Sequence, residues 1–89
     1  MTNKKIVIYT LPVCPNCRIL KDTLTKQRIE YEEEDLETPK SKTFMLMHSI
    51  FSGVAPILAI GDTVYQYAEI FYTDGLVKEE IIERCLDLS

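Results

Sequence analysis

Residues 5–17, with the sequence Lys-Ile-Val-Ile-Tyr-Thr-Leu-Pro-Val-Cys-Pro-Asn-Cys, hold the pattern that decides the fold. The run Lys5–Tyr9 is apolar and β-branched without alternation, which is typical of a strand buried on both faces. A proline-containing turn follows, and Pro15 suits the first turn of a helix that begins at Cys14 and extends to about Ile29. The stretch therefore predicts a central strand followed by a helix that opens with two closely spaced cysteines.

Length and composition restrict the class of protein. The chain has 89 residues, 46% of them hydrophobic and 27% charged, which leaves no room for two independent cores, and we expect a single domain over residues 1–89. The net charge of −4 and the lack of a Lys or Arg cluster argue against a nucleic-acid partner. Only three apolar residues, Ile6–Ile8, precede Tyr9, too few for a signal-peptide core or a membrane span. We expect a cytoplasmic, monomeric protein with no membrane partner.

A second strand is predicted at Tyr31–Leu36, inside an unusually acidic segment. Six of the eight residues from Glu30 to Glu37 are acidic, a composition with low strand propensity and mutual repulsion. An edge strand that faces water tolerates such residues and is guarded by them against aggregation. We therefore interpret the segment as a solvated edge, with an acidic docking patch as the alternative.

A second helix is predicted from Thr38, which can cap it, and Pro39, which suits its first position. Phe44, Met47 and Phe51 follow at helical spacing, and other apolar residues extend over much of the circumference. This pattern indicates either deep burial or a partner-binding surface, and we interpret it as core packing.

The remainder of the chain predicts a hairpin and a closing helix. Pro56–Ile60 has the composition of a buried strand, and Gly61-Asp62 joins it to a short strand at Thr63–Tyr67. A last helix begins after Asp74-Gly75. Its apolar stripe consists of Val77, Ile81, Ile82, Cys85 and Leu86. The order βαβαββα predicts an α/β fold in which three helices flank a four-stranded mixed sheet.

The pair Cys14 and Cys17 is the strongest chemical signal. Unpaired amide groups and the positive end of the helix dipole favour a thiolate at a helix N-terminus, where the pKa of a cysteine can fall well below the free value of about 8.5. Cys14 is thus predicted to attack a substrate disulfide, and Cys17, one turn further in, to resolve the mixed disulfide. The two-residue spacing lets the sulfurs bridge reversibly. A static bridge or inert thiols are the alternative.

The third cysteine and the single histidine have simpler interpretations. An odd number of cysteines argues against a secreted disulfide scaffold. Cys85 lies on the apolar stripe of the last helix and is interpreted as a core residue, with a redox role as the alternative. His48 could complete a tetrahedral zinc set with the three cysteines, but their spacing resembles no zinc finger or ribbon. We therefore predict no metal site.

Three segments resemble a glutaredoxin of the thioredoxin superfamily: Ile6–Tyr9, Cys14–Cys17, and Val54-Ala55-Pro56 before a strand. The resemblance covers nearly the whole chain and implies a thioredoxin-like fold of the glutaredoxin type, with dithiol reduction of protein or small-molecule disulfides. It also implies that the bond before Pro56 is cis and faces the cysteines, and that Ala55 offers its backbone to the bound disulfide. The substrate-binding residues so implied are Pro12, Val13, Pro15, Asn16, Ala55 and Pro56.

Two departures from the family bear on the source of electrons. Leu11 stands where glutaredoxins usually have a lysine that helps hold a glutathione carboxylate, and Gln66-Tyr67 replaces a Gly-Gly pair that lets glutathione approach closely. No permanently bound cofactor is expected, and glutathione is one candidate reductant. The alternatives are a donor reduced by thioredoxin reductase, such as those that serve ribonucleotide reductase, and a non-catalytic binding module. Such a module would dock through the helix Phe44–Phe51 or through the acidic edge.

Overall fold

A computed structural model describes residues 5–51 and 53–86. The helices and strands follow in the order β1 (Ile6–Thr10), α1 (Pro15–Lys26), β2 (Glu32–Asp35), α2 (Pro39–Met47), β3 (Ile57–Ile60), β4 (Thr63–Tyr65), α3 (Tyr67–Ile70) and α4 (Glu79–Leu86). The predicted order is confirmed, with one short helix added. The expected strand at 63–67 ends early, at Tyr65, because Gln66 is the N-cap of α3 and its backbone N–H donates to the Glu69 carboxylate at 3.0 Å.

One mixed sheet forms the centre of the molecule, with the strand order β2-β1-β3-β4. Strand β1 runs parallel to β2 and antiparallel to β3, and Tyr9 lies opposite Ile57. All residues of β1 and β3 are buried, as their unbroken apolar runs predict. Strands β1 and β3 are antiparallel neighbours, so the last residue of β1 and the first residue of β3 lie at the same end of the sheet. The segments around Thr10 and Pro56 are therefore brought together.

The two faces of the sheet carry different helices, since successive strand residues point to opposite sides. Ile8 and Leu58 face the core formed with α1 and α4, which contribute Leu20 and Ile81. On the other face the core is smaller, and its buried members are Val7, Tyr9, Leu36, Met45, Ile50, Ile57 and Ala59. The result is a three-layer sandwich in which α2, together with the loop residues Leu36 and Ile50, packs on the second face.

The acidic strand β2 lies at the edge of the sheet, as predicted. Its side chains are exposed or half-buried. Two of its carboxylates form ion pairs, Glu32 with Lys5 at 3.2 Å and Glu33 with Lys21 at 3.0 Å. These pairs lower the repulsion within the run, although surface ion pairs contribute only about 0.2–1 kcal/mol each.

The core-packing interpretation of the second helix is wrong for part of its apolar surface. Thr38 and Pro39 begin α2 as predicted, and Met45 is buried, but Leu46 and Met47 are largely exposed. The helix ends at Met47 rather than continuing, so Phe51 follows in a loop and is exposed as well. No helix within the described ranges is long and apolar enough to cross a membrane.

Candidate active site

The backbone around Cys14 places this residue at the start of α1. Cys14 is the N-cap, with extended φ and ψ of −147° and 94°, and Pro15 occupies the first helical position. A residue before proline is driven out of the helical region, while proline itself suits a position that needs no N–H donor. The Cys17 backbone N–H donates to Cys14 Sγ at 3.1 Å. The local sequence around Pro15 therefore places the Cys14 sulfur at the N-terminus of α1.

Cys14 and Cys17 form a disulfide, with their Cα atoms 5.2 Å apart. The two cysteines differ in accessibility: Cys14 is half-buried, whereas Cys17 is only 2% exposed. Cys17 lies on the same face of α1 as Leu20 and Leu24, which pack against the sheet. Because the inner sulfur is shielded by the core, an external molecule has access to the outer one.

Ala55 and Pro56 lie at the same edge of the sheet as the cysteines. Their peptide bond is cis, in agreement with the resemblance to glutaredoxins. The β1–β3 register pairs Tyr9 with Ile57, so the segment that follows β1 and the segment that precedes β3 leave the sheet at the same end. Pro56 is fully buried, and Ala55 is half-buried.

The other predicted substrate-binding residues form the outer rim of this edge. Pro12, Val13 and Pro15 are exposed, and Asn16 is half-buried. Val13, directly before Cys14, is the most exposed of the large apolar side chains described by the structure, at 90%. The rim thus presents small and apolar groups beside the accessible sulfur.

A polar link that sequence reasoning missed anchors the end of β1. The Thr10 hydroxyl donates to Glu33 Oε2 at 3.2 Å, and Lys21 Nζ lies 3.0 Å from the same oxygen. Glu33 therefore ties β1 and β2 to α1 close to the turn that leads to Cys14. Nothing in the linear sequence marks Glu33 among its acidic neighbours, because this contact joins residues far apart in the chain.

Leu11, Gln66 and Tyr67, which depart from the usual glutaredoxin pattern, have structural roles in this protein. Leu11 is half-buried and packs against the core on the α2 side. Gln66 is the N-cap of α3, and Tyr67 packs against the opposite core, with its ring 4.9 Å from that of Phe71. The tyrosine ring that replaces a glycine is thus part of the core packing.

The remaining cysteine and the histidine lie apart from this arrangement. Cys85 is a free cysteine buried among the α1 and α4 side chains, as predicted, and burial raises its pKa from 9.0 to about 11. His48 follows α2 and packs on Phe44, with ring centroids 4.4 Å apart. Within residues 5–51 and 53–86, no group of three His, Cys, Asp or Glu side chains could hold a metal ion.

Comparison with known proteins agrees with the geometry of the site. Residues 6–63 match the glutaredoxin family. This chain belongs to the glutaredoxin family. As a glutaredoxin it is of the thiol–disulfide oxidoreductase class, and the paired cysteines at the helix start fit that class. Thiol–disulfide exchange needs no bound cofactor, because the two cysteines carry the electrons.

The thioredoxin-like fold expected of a glutaredoxin is confirmed by a solved structure. The crystal structure of a mutant of the thioredoxin-like protein BC3987 has a TM-score of 0.67 with 24% sequence identity, and the match covers 96% of this chain and 97% of that one. At this identity the likeness establishes the fold alone. No curated protein is significantly similar in sequence.

Proposed function

We propose that this glutaredoxin reduces disulfides by a dithiol mechanism in which Cys14 attacks and Cys17 resolves. The observation that carries the proposal is the unequal exposure of two cysteines already paired at a helix N-terminus. Cys14 is accessible from the rim, and Cys17 is shielded by the core. Thiol–disulfide exchange depends on which sulfur can be reached, so this difference supports Cys14 as the attacking thiol.

In each step of the reaction, one S–S bond breaks and another forms. The Cys14 thiolate attacks one sulfur of the substrate; the substrate S–S bond breaks, and the released thiolate takes a proton from water. Cys17 then loses its proton and attacks Cys14 Sγ in the mixed disulfide, which forms the intramolecular disulfide and releases the second substrate thiol. Two electrons pass from the dithiol to the substrate, and an external reductant must return them.

The start of α1 supports a negative charge on Cys14 in the reduced protein. The Cys17 N–H points at Cys14 Sγ, 3.1 Å away, and the first helical turn carries no acidic residue. The positive end of the helix dipole acts in the same direction. Both contributions stabilise the thiolate, which is the form that attacks.

The electrons are proposed to come from a protein reductase of the thioredoxin-reductase type in preference to glutathione. The half-buried Leu11 contributes no cation for a glutathione carboxylate in the turn before Cys14. A carboxylate placed against an apolar side chain loses hydration without gaining a partner, which disfavours its binding.

The test is reduction of hydroxyethyl disulfide by the purified protein, supplied with NADPH and either glutathione plus glutathione reductase or thioredoxin reductase. We expect faster turnover with thioredoxin reductase, no turnover by Cys14→Ser, and a trapped mixed disulfide on Cys14, visible by mass spectrometry, in Cys17→Ser. The buried Cys85→Ser serves as the matched control and should keep its activity. Full activity in Cys14→Ser would refute the mechanism.

A further inference from the structure

An apolar groove lies between α2 and the turn that leads to Cys14. Its volume is about 440 Å³. The side chains that shape this groove, which we name the α2 groove, are Leu11, Leu36, Met45, Leu46, Ile50 and Phe51. Glu37 and Lys42 stand at its rim and bring opposite charges. With no net charge at the rim, the groove is suited to an uncharged, apolar occupant.

The floor and the walls of the α2 groove differ in exposure. Leu36 and Ile50 are buried in the α2-side core and form the floor. On the walls, Leu46 is 62% exposed and Phe51 is 76% exposed. Scattered exposed apolar residues are ordinary, but a concave cluster of them is typical of a binding surface. The walls therefore have apolar area that an occupant can bury.

The α2 groove is continuous with the disulfide site. Leu11 lines the groove and is three residues before Cys14, in the turn between β1 and α1. Gly53 lines the far side, two residues before Ala55, in the segment that enters β3 at the end of the sheet where β1 finishes. A polypeptide whose disulfide reaches Cys14 thus has its neighbouring residues at the mouth of the groove.

We infer that the α2 groove binds an apolar side chain beside the cysteine that Cys14 attacks, so that the substrates are protein disulfides flanked by apolar residues. This inference rests on the proposed reductase function. It makes Leu46 and Phe51 specificity-determining residues, because they shape the walls without taking part in the exchange of bonds. Glutathione carries no large apolar group and would bury little area against these walls.

The experiment compares two peptide disulfides with a common leaving thiol, in which the cysteine is flanked on both sides by leucine or by glycine. Each kcat/KM is divided by that of the same protein variant with hydroxyethyl disulfide. For the unmodified protein we expect leucine to be favoured about tenfold, the low end of what one extra methylene group contributes in a hydrophobic pocket. In Leu46→Ser/Phe51→Ser the preference should fall to about twofold or less. Leu76→Ser, which removes an exposed leucine outside the groove, is the matched control and should retain it.

Several outcomes overturn the inference. Equal rates for the two peptides, with hydroxyethyl disulfide still reduced, refute it while leaving the proposed function intact. A preference for leucine that survives Leu46→Ser/Phe51→Ser refutes the assignment to this groove. A dimer detected by sedimentation that dissociates in the same double variant makes a second copy the occupant. Absence of any disulfide reduction overturns the proposed function and the inference with it.

Discussion

Replacing Thr38 by Ala should destabilise the protein more than the loss of an ordinary helix cap. Thr38 Oγ1 accepts the backbone N–H of Ser41 at 3.2 Å and lies 2.9 Å from Ser41 Oγ. It also lies 3.1 Å from the carbonyl oxygen of Asp35. Ser41 is only 1% exposed, so its hydroxyl has little access to water. Thr38 therefore caps α2 and satisfies a buried polar group at the same time.

The magnitude follows from these two roles. Loss of an N-cap side chain costs about 1 kcal/mol, and leaving a buried hydroxyl without its partner costs about 1 kcal/mol at the lower end of the usual range. We expect Thr38→Ala to lower the free energy of unfolding by about 2 kcal/mol, which corresponds to a fall in Tm of roughly 10 °C in a domain of this size.

Urea unfolding of the oxidised protein, followed by circular dichroism, measures this effect in a double-mutant cycle. Ser41→Ala removes the hydroxyl that Thr38 satisfies, so Thr38→Ala/Ser41→Ala should be more stable than Thr38→Ala by about 1 kcal/mol. Thr25→Ala on the exposed surface of α1 is the control and should stay within about 0.5 kcal/mol of the unmodified protein. Additive losses in the double variant would refute the coupling between the two hydroxyls.

Two further predictions concern side chains near the chemistry and in the core. Since burial raises the pKa of Cys85 from 9.0 to about 11, its thiolate fraction at mildly alkaline pH is about a hundredfold below that of a thiol whose pKa is 9.0. Iodoacetamide should therefore label Cys14 in the reduced protein and reach Cys85 only after unfolding; equal labelling rates by mass spectrometry would contradict this. Leu11→Lys adds a cation beside Cys14 and should lower the KM for glutathione about threefold, as a partly exposed ion pair allows. Leu11→Met, similar in size but uncharged, should leave that KM unchanged, and an equal change in both variants would exclude the electrostatic cause.

Local rules explain why the helix start at Cys14 could be predicted. A proline at the first helical position excludes the preceding residue from the helix, so the position of Pro15 determines that of Cys14. The hairpin at Gly61-Asp62 could also be predicted from local sequence, because its tight turn needs a positive φ, which glycine adopts readily, and Gly61 has a φ of 60°. The cis bond before Pro56 came only from the family resemblance, since most X–Pro bonds are trans.

Contacts between distant segments could not be predicted in this way. The run Phe44–Met47 is apolar at four successive positions, so it contains no contrast that tells a buried face from an exposed one. Packing of α2 against the sheet buries Met45 and leaves Leu46 exposed to solvent, and this difference depends on tertiary contacts. The link from Thr10 through Glu33 to Lys21 is equally invisible in the sequence, because it depends on β2 lying beside β1.

The central position of β1 explains why the chemistry and the α2 groove share one edge of the sheet. The chain leaves β1 at Thr10, whose hydroxyl and carbonyl are both bonded to the β2 segment, so the following turn starts from a fixed point. From there Leu11 packs on the α2-side core, while three residues later Cys14 opens a helix that packs on the opposite face. The turn thus crosses from one layer of the sandwich to the other. The proposed reduction of protein disulfides benefits from this crossing, because the turn before Cys14 connects the layer that buries Cys17 with the layer that holds the α2 groove.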